Sequence, residues 1–178
     1  MQDAYDKAAV LAEHGANPAI QAIQAAQPDV LLDAKFDRGE LTLKIAREHI
    51  RAAAALVQRA GYNFLEDVTC VDYDPLEPRF QVIYHILSHS LKARVRLAVP
   101  VESIDPEVDS ITPVWPSADF YEREVFDLFG IRFGGHPNLR RIMMPDEWEG
   151  HPLRKDYPVD KRQPLTEERD PIEVGWKV

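Results

Sequence analysis

The stretch from Glu122 to Tyr157 limits what this chain can fold into more than any other. It opens Glu122-Arg123-Glu124 and continues Asp127-Leu128-Phe129-Gly130, which reads as the end of a helix. It then runs Gly135-His136-Pro137-Asn138-Leu139-Arg140-Arg141-Ile142, Pro145-Asp146-Glu147-Trp148 and Gly150-His151-Pro152-Leu153-Arg154-Lys155-Asp156-Tyr157. A segment so dense in Pro and Gly is neither a helix interior nor an inner strand. It has few backbone partners of its own, and buried backbone polar groups must be paired. It is therefore predicted to lie as an extended arm on another surface.

The rest of the chain is long enough to supply part of that surface. Its 178 residues make one domain, or one domain plus a tail, and 45% apolar residues are enough for a core. A net charge of -9 argues against a general nucleic-acid binder, which needs cations to displace phosphate counterions. Apolar runs are short and charge-interrupted, well under the roughly 20 residues of a membrane span. The N-terminus, Met1-Gln2-Asp3-Ala4-Tyr5-Asp6, lacks the basic and apolar regions of a secretory signal, so a cytosolic setting is expected. Cys70 is the one cysteine. It permits no intrachain disulfide and no cluster of cysteine ligands, and its setting, Val68-Thr69-Cys70-Val71, predicts a buried structural thiol.

Taken in order, residues 1 to 28 read as weakly helical, ending at Pro28. Val30 to Asp37 alternates, with Leu32, Ala34 and Phe36 on one side and Leu31, Asp33 and Lys35 on the other. After the turn Asp37-Arg38-Gly39-Glu40, Leu41, Leu43 and Ile45 alternate in a second strand. Arg47 to Ala60 changes to helical period, with Ile50, Ala53, Ala54 and Val57 on one face and Gly61 as the stop. The alanines permit close approach to a sheet. Strands follow over Phe64–Tyr73, Arg79–Leu87 and Ala93–Val99. Residues 100 to 116, with four prolines, read as a loop carrying a short strand near Ser110. A last helix runs from the N-cap Ser117 to Gly130. Tyr121, Val125 and Leu128 form its stripe, Glu122 and Glu124 flank it, and Arg123 and Asp127 lie on the far face, spaced to pair. The fold class is α+β: a two-layer domain of helix, two strands, helix and three strands with a mixed sheet, then a helix and an extended C-terminal tail. The division is 1–130 for the domain, with 1–28 as a helical N-terminal segment, and 131–178 for a partner-docking tail.

The arm gathers residue types that catalyse reactions elsewhere. His136 and His151 stand in similar words, Gly-His-Pro-Asn-Leu-Arg and Gly-His-Pro-Leu-Arg-Lys. They read either as two ligands of a metal, with Glu122, Glu124 or Asp146 adding a carboxylate, or as side chains fixing turns; the second reading is favoured, since no spacing enforces a third ligand. From Gly130 to Arg162, seven basic residues (Arg132, Arg140, Arg141, Arg154, Lys155, Lys161, Arg162) face five acids, giving +2 in a chain of -9. That excess suits an anion, or acids of the chain's own last helix or of another protein. Pairing at an interface is favoured. Trp148 and Trp176 on the tail suit anchors in a partner surface. No dinucleotide, phosphate-loop, nucleophile-elbow, zinc-protease or CxxC signature is present.

The same stretch resembles a known family. Glu122-Arg123-Glu124, Asp127-Leu128-Phe129, His136, Arg140 and Ile142, in that spacing, and Gly150-His151-Pro152-Leu153-Arg154-Lys155-Asp156-Tyr157-Pro158 are similar to the signature of the 30 kDa subunit family (the C subunit) of NADH-quinone oxidoreductase, respiratory complex I. Asp67-Val68-Thr69-Cys70-Val71-Asp72-Tyr73 and Ser110-Ile111-Thr112-Pro113-Val114-Trp115-Pro116-Ser117-Ala118 carry the resemblance upstream. It implies a non-catalytic peripheral-arm subunit of a proton-pumping complex that passes electrons from NADH to quinone. It implies no catalytic, cofactor or metal residue in this chain, with FMN and iron-sulfur clusters held by partner subunits. The implied partners are the quinone-site subunit, of the 49 kDa type, and the terminal-cluster subunit. The implied location is the cytoplasmic side of the inner membrane, if bacterial, with membrane association through the complex. Interface or signature roles fall on Glu122, Arg123, Glu124, Asp127, His136, Arg140, Arg141, Trp148, His151, Arg154, Lys155, Asp156 and Tyr157. The equivalent subunit of a related membrane-bound hydrogenase or quinone-reducing dehydrogenase, and a stand-alone metal- or anion-binding domain, are the alternatives.

Overall fold

Period-two strands with one apolar face need a helical layer against that face, and the chain supplies it. The computed structural model describes residues 5–26, 28–161 and 163. The N-terminal segment is two helices rather than one, α1 (Lys7–His14) and α2 (Pro18–Ala26). Asn17 caps the second through its side-chain oxygen, 2.9 Å from the Ala19 amide. There follow β1 (Leu31–Asp37), β2 (Glu40–Ile45), α3 (Ile50–Arg59), β3 (Phe64–Asp72), β4 (Phe80–Ser88), β5 (Ala93–Val101), β6 (Glu107–Asp109), α4 (Ala118–Phe129) and β7 (Arg132–Gly134).

Five strands form one sheet in the order β1-β2-β5-β4-β3. The β2–β5 pair is parallel and the other three pairs are antiparallel, so the sheet is mixed as expected. Its inner face presents Leu41, Leu43, Ile45, Val82, Tyr84, Val95, Leu97 and Val99, all buried. Against them lie Ile20 and Ile23 of α2, the predicted Ile50, Ala53, Ala54 and Val57 of α3, and Val125 and Phe129 of α4. Cys70 is buried on β3, as expected. Desolvation pushes its thiol up to about 12, so it stays protonated.

Two departures from the sequence reading have physical causes. In β1 the buried residues are Leu31 and Ala34, while Leu32 and Phe36 face solvent, which corrects the predicted faces. A register shift between Leu31 and Asp33 breaks the alternation. The opposite edge strand, β3, has the same device between Leu65 and Asp67. Both bulges sit on edges, where they discourage pairing with another chain. The second departure is β5, which continues through Pro100 to Val101 instead of ending at Val99. The β2 ladder stops at Ala98, so Pro100 has a strand neighbour on one side only, the kind of position where a strand tolerates proline.

A second, two-stranded sheet pairs β6 with β7 in parallel. Arg51 of α3 holds it to the main domain, donating from Nε to the Ser110 carbonyl and from Nη2 to the Gly134 carbonyl, each at 2.9 Å. Ile131 and Phe133, on either side of Arg132, are buried. The chain therefore stays attached to the domain for one strand beyond α4.

The close seat of α3 depends on Ala53 and Ala54, which have no exposed surface. Ala53→Leu is expected to lower the unfolding free energy by about 1–3 kcal/mol through overpacking, read from the urea midpoint at unchanged slope.

Candidate functional site

After β7 the arm has no ladder, and α4 supplies its partners. The last four carbonyls of a helix have no intrahelical donors. In α4 the Phe126 carbonyl accepts from the Gly130 amide at 2.8 Å, and Gly130 takes the left-handed conformation at φ 75°. The other three are met by the second histidine word. His151 Nδ1 donates to the Asp127 carbonyl at 2.8 Å, the Leu153 amide to the Leu128 carbonyl at 3.1 Å, and Arg154 Nε to the Phe129 carbonyl at 2.5 Å. This fixes the His151 tautomer with its proton on Nδ1. Burial holds His151 below the usual imidazole range, and the neighbouring Arg154 and Arg141 act in the same direction.

The first histidine word lies along the other half of α4. His136 has a fully buried side chain; its Nδ1 accepts the Asn138 amide at 3.0 Å, and its Nε2–H lies 3.2 Å from the Asp119 carbonyl. His136 and His151 therefore serve opposite ends of one helix. Each fixes backbone, the favoured reading of the two words. Among the described residues no group of three or more His, Cys, Asp or Glu side chains is placed to hold a metal ion.

Between the two words, Asp127 gathers the arm. Its side chain has no exposed surface, and its Oδ2 accepts the amides of Ile142, Met143 and Met144 at 3.0, 2.8 and 2.8 Å. Its Oδ1 takes Arg141 Nη1 at 2.6 Å. Burial alone would raise this carboxyl, but the three amides and Arg141 outweigh it and hold it below its ordinary value. Arg123 donates to the carbonyls of Arg140 and Arg141, both at 3.2 Å. The sequence placed Arg123 and Asp127 on an outer face as a mutual pair. Both are buried, and each engages the arm instead of the other, because the arm's amides and carbonyls are what lack partners.

A second clamp holds the far end. Arg79 makes two bonds to Asp72, Nε to Oδ1 at 2.9 Å and Nη2 to Oδ2 at 2.8 Å. Arg79 Nη1 reaches Asp156 Oδ2 at 2.8 Å, and Asp72 Oδ2 accepts the Lys155 amide at 2.9 Å. Hydrogen bonds that Arg79 donates to Asp72 and Asp156 raise its guanidinium above its usual range, while Asp72, despite its desolvation, is held well below the carboxylate range. Asp72 and Arg79 were not singled out from sequence. The signal was there: acid and base close the base of one hairpin, with Asp72 opposite Phe80.

Of the remaining expected site residues, Glu122 is buried and Glu124, Arg140 and Lys155 are exposed. Trp148 stacks on Tyr157 with ring centroids 6.5 Å apart, and the Tyr157 hydroxyl accepts from Gln163 at 2.6 Å. Trp148 is therefore packed within the arm, and Trp176 lies outside the described residues. Arg141 and Arg154 find acceptors inside the chain: Arg141 meets Asp127, one of the helix acids offered as a partner, and Arg154 the Phe129 carbonyl. Among these exposed charges the helix and arm also expose large apolar side chains: Phe120 at 60%, Met143 at 61% and Leu153 at 52%. Phe120 sits beside the Arg123 guanidinium, 5.9 Å from ring centroid to carbon.

Comparison with known proteins covers most of the chain. The profile of the family described as "Respiratory-chain NADH dehydrogenase, 30 Kd subunit" matches residues 43–163. The chain is 48% identical over 147 residues to the C subunit of NADH-quinone oxidoreductase from Roseiflexus castenholzii, covering 80% of this chain and 84% of that one. Among solved structures it is similar to a trypsin-resistant fragment of Nqo5, at TM-score 0.60 and 33% identity, over 68% of this chain and 99% of that one. A chain of an archaeal membrane-bound sulfane sulfur reductase shares the fold at TM-score 0.71 and 21% identity, over 88% and 97%.

Two outcomes follow from the clamps. Asp127→Ala is expected to free the arm and speed tryptic cleavage after Arg140 and Arg141 by at least about tenfold, since one hydrogen bond to a charged group is worth ~1.5–3 kcal/mol. Unchanged cleavage would show that Asp127 does not hold the arm. Asp72, Asp127 and Asp156 are all held low, so their contribution is fully present above about pH 4 and is lost as pH falls through their depressed folded values. Amide protection at Ile142–Met144 and Lys155 is expected to fall on acidification before that of β4 and β5, by hydrogen exchange.

Proposed function

The chain belongs to the 30 kDa subunit family of respiratory-chain NADH dehydrogenase, and from that premise we propose that it is a non-catalytic docking subunit of such a complex. Its arm and the exposed face of α4 bind the quinone-site subunit, next to the terminal-cluster subunit. Electrons pass from NADH through FMN and iron-sulfur clusters carried by those partners and others. The complex holds this subunit peripherally, on the cytoplasmic side of the inner membrane in a bacterium. No helix among the described residues is long and apolar enough to cross a membrane.

One observation carries the docking role. The arm's polar backbone is spent on its own domain, while Phe120, Ile142, Met143 and Leu153 remain exposed above it. Fixed, exposed apolar side chains with Arg140 and Lys155 nearby in sequence are suited to a partner surface with an apolar centre and acidic rim. The donor chemistry agrees with a subunit that holds no cluster. A cluster held by cysteines alone needs four thiolates, and this chain has one cysteine, buried and protonated. The seat of His136 and His151 on α4 backbone is why a free-standing metal domain is the weaker reading.

The test is co-expression with the quinone-site subunit. Phe120→Asp with Met143→Asp is expected to abolish co-purification and leave the isolated chain within about 0.5 kcal/mol of its stability per exposed site. Arg140→Ala is expected to weaken assembly without destabilising the chain. Retained co-purification of the double variant would place the interface elsewhere.

A further inference from the structure

We propose that Glu122 is a buried proton-binding site whose occupancy sets how firmly the first part of the arm is seated on α4. The proposal does not depend on the docking role, since every group involved lies within this chain.

The geometry is short of one proton. Glu122 has no exposed surface, and its Oε1 accepts the Ile111 amide at 2.7 Å. Its Oε2 is buried with no hydrogen-bond partner among the described residues. His136 Nε2 lies 3.9 Å from that oxygen, too far for a hydrogen bond. The imidazole has nothing to spare. Its Nδ1 accepts the Asn138 amide, which places its one proton on Nε2, and that proton points at the Asp119 carbonyl. Asp119 Oδ1 stands 3.2 Å from the same Nε2 and is also buried without an aligned donor. Two carboxylate oxygens thus converge on one N–H already in use. The Tyr84 hydroxyl, on β4 beneath α4, is buried without a partner and feels the Glu122 charge.

A carboxylate oxygen sealed from water without a donor is costly, and such a group neutralises instead. A proton on Oε2 removes the charge and turns an unmatched acceptor into a donor. Of the two carboxylates Glu122 is the one sealed from solvent; 31% of the Asp119 side chain remains exposed. The charged and titratable groups facing the site are Arg51 of α3, Tyr84 of β4, Asp109 of β6, Asp119 of α4 and His136 of the arm, with Ser110 adding a hydroxyl donor. Burial dominates and pushes the carboxyl up to about 7; Ser110, Ile111 and Arg51 oppose it, and Asp119 adds to it.

The folded value is raised, so the group's contribution is full below the ordinary carboxylate range and is lost as pH rises through about 7. His85 and His151 are held below their usual range and act in the opposite sense, gaining as pH rises. Comparison of the full chain with Glu122→Gln, which places an amide donor where the proton would sit, separates the two trends. From about pH 5 to about pH 7 the unfolding equilibrium of the wild type is expected to rise relative to the variant, by up to about tenfold per pH unit. Exchange of the His136 and Asn138 amides, corrected for intrinsic rate, is expected to rise in parallel. Infrared difference spectra of the wild type alone supply a second readout: a carboxylic-acid C=O band at about pH 6 that disappears by about pH 8.5. The same pH profile in Glu122→Gln and wild type overturns the proposal. So does the absence of that band, which also decides the matter if the variant does not fold.

Discussion

The carboxylate of Asp127 receives four donors from a segment that has no secondary structure of its own. A chain rich in proline and glycine cannot pair its backbone internally, yet much of this arm is too close to the domain for water to do it. The solution is reciprocal. The helix ends with carbonyls that need donors, and the arm supplies them from His151, Leu153 and Arg154. The arm brings amides that need an acceptor, and Asp127 collects three of them. Gly130 makes the exchange possible. A Cβ there would lie 2.6 Å from the His151 ring and 2.8 Å from Arg154, at a φ that favours glycine.

The two anchors along α4 respond to protons in opposite ways because their donors differ. Asp127 and Asp72 are buried and oversupplied with N–H groups, so ionisation is favoured. Glu122 is equally buried, but its second oxygen has no donor, so ionisation is opposed. Burial alone therefore predicts neither direction; the count of donors at each oxygen does. Asp127 grips the arm as an anion, while Glu122, 3.9 Å from the arm's His136, favours its neutral state. Mild acid favours that neutral state without disturbing the grip at Asp127, since the depressed carboxylates titrate only at lower pH.

Much of the sheet was legible because inner-face residues carry a periodic apolar signal. Leu41, Leu43 and Ile45, and Phe80, Val82, Tyr84 and Ile86, are buried as their alternation requires. Failures came where a local device shifted the phase. One skipped residue in β1 exchanged Leu31 for Leu32, and alternation cannot report a bulge. The arm was legible as an arm, since its composition rules out regular structure, but not as to where it lies. The far-face position of Arg123 and Asp127 on the helical wheel was sound. Their expected mutual pair does not form, because a segment without periodicity covers that face and takes up both side chains. The Asp72–Arg79 pair was open to a local reading of the hairpin, but its link to Asp156 spans 77 residues, beyond any local pattern.

A run holding two histidines, several arginines and several acids resembles an active site in composition, and its chemistry is consumed elsewhere. Catalytic groups need lone pairs or protons free to act on a substrate. His151 gives its Nδ1 proton to a helix carbonyl, His136 has both nitrogens engaged, and Arg123, Arg141 and Arg154 donate to main-chain oxygens. Such residues suit an arm of this kind because proline and glycine leave its backbone unable to satisfy itself, and because long forked donors reach carbonyls at awkward angles. With Arg123, Arg141 and Arg154 turned inward to hold the arm, Met143 and Leu153 stand outward among its exposed charges, an arrangement that makes sense when the outer side meets another protein.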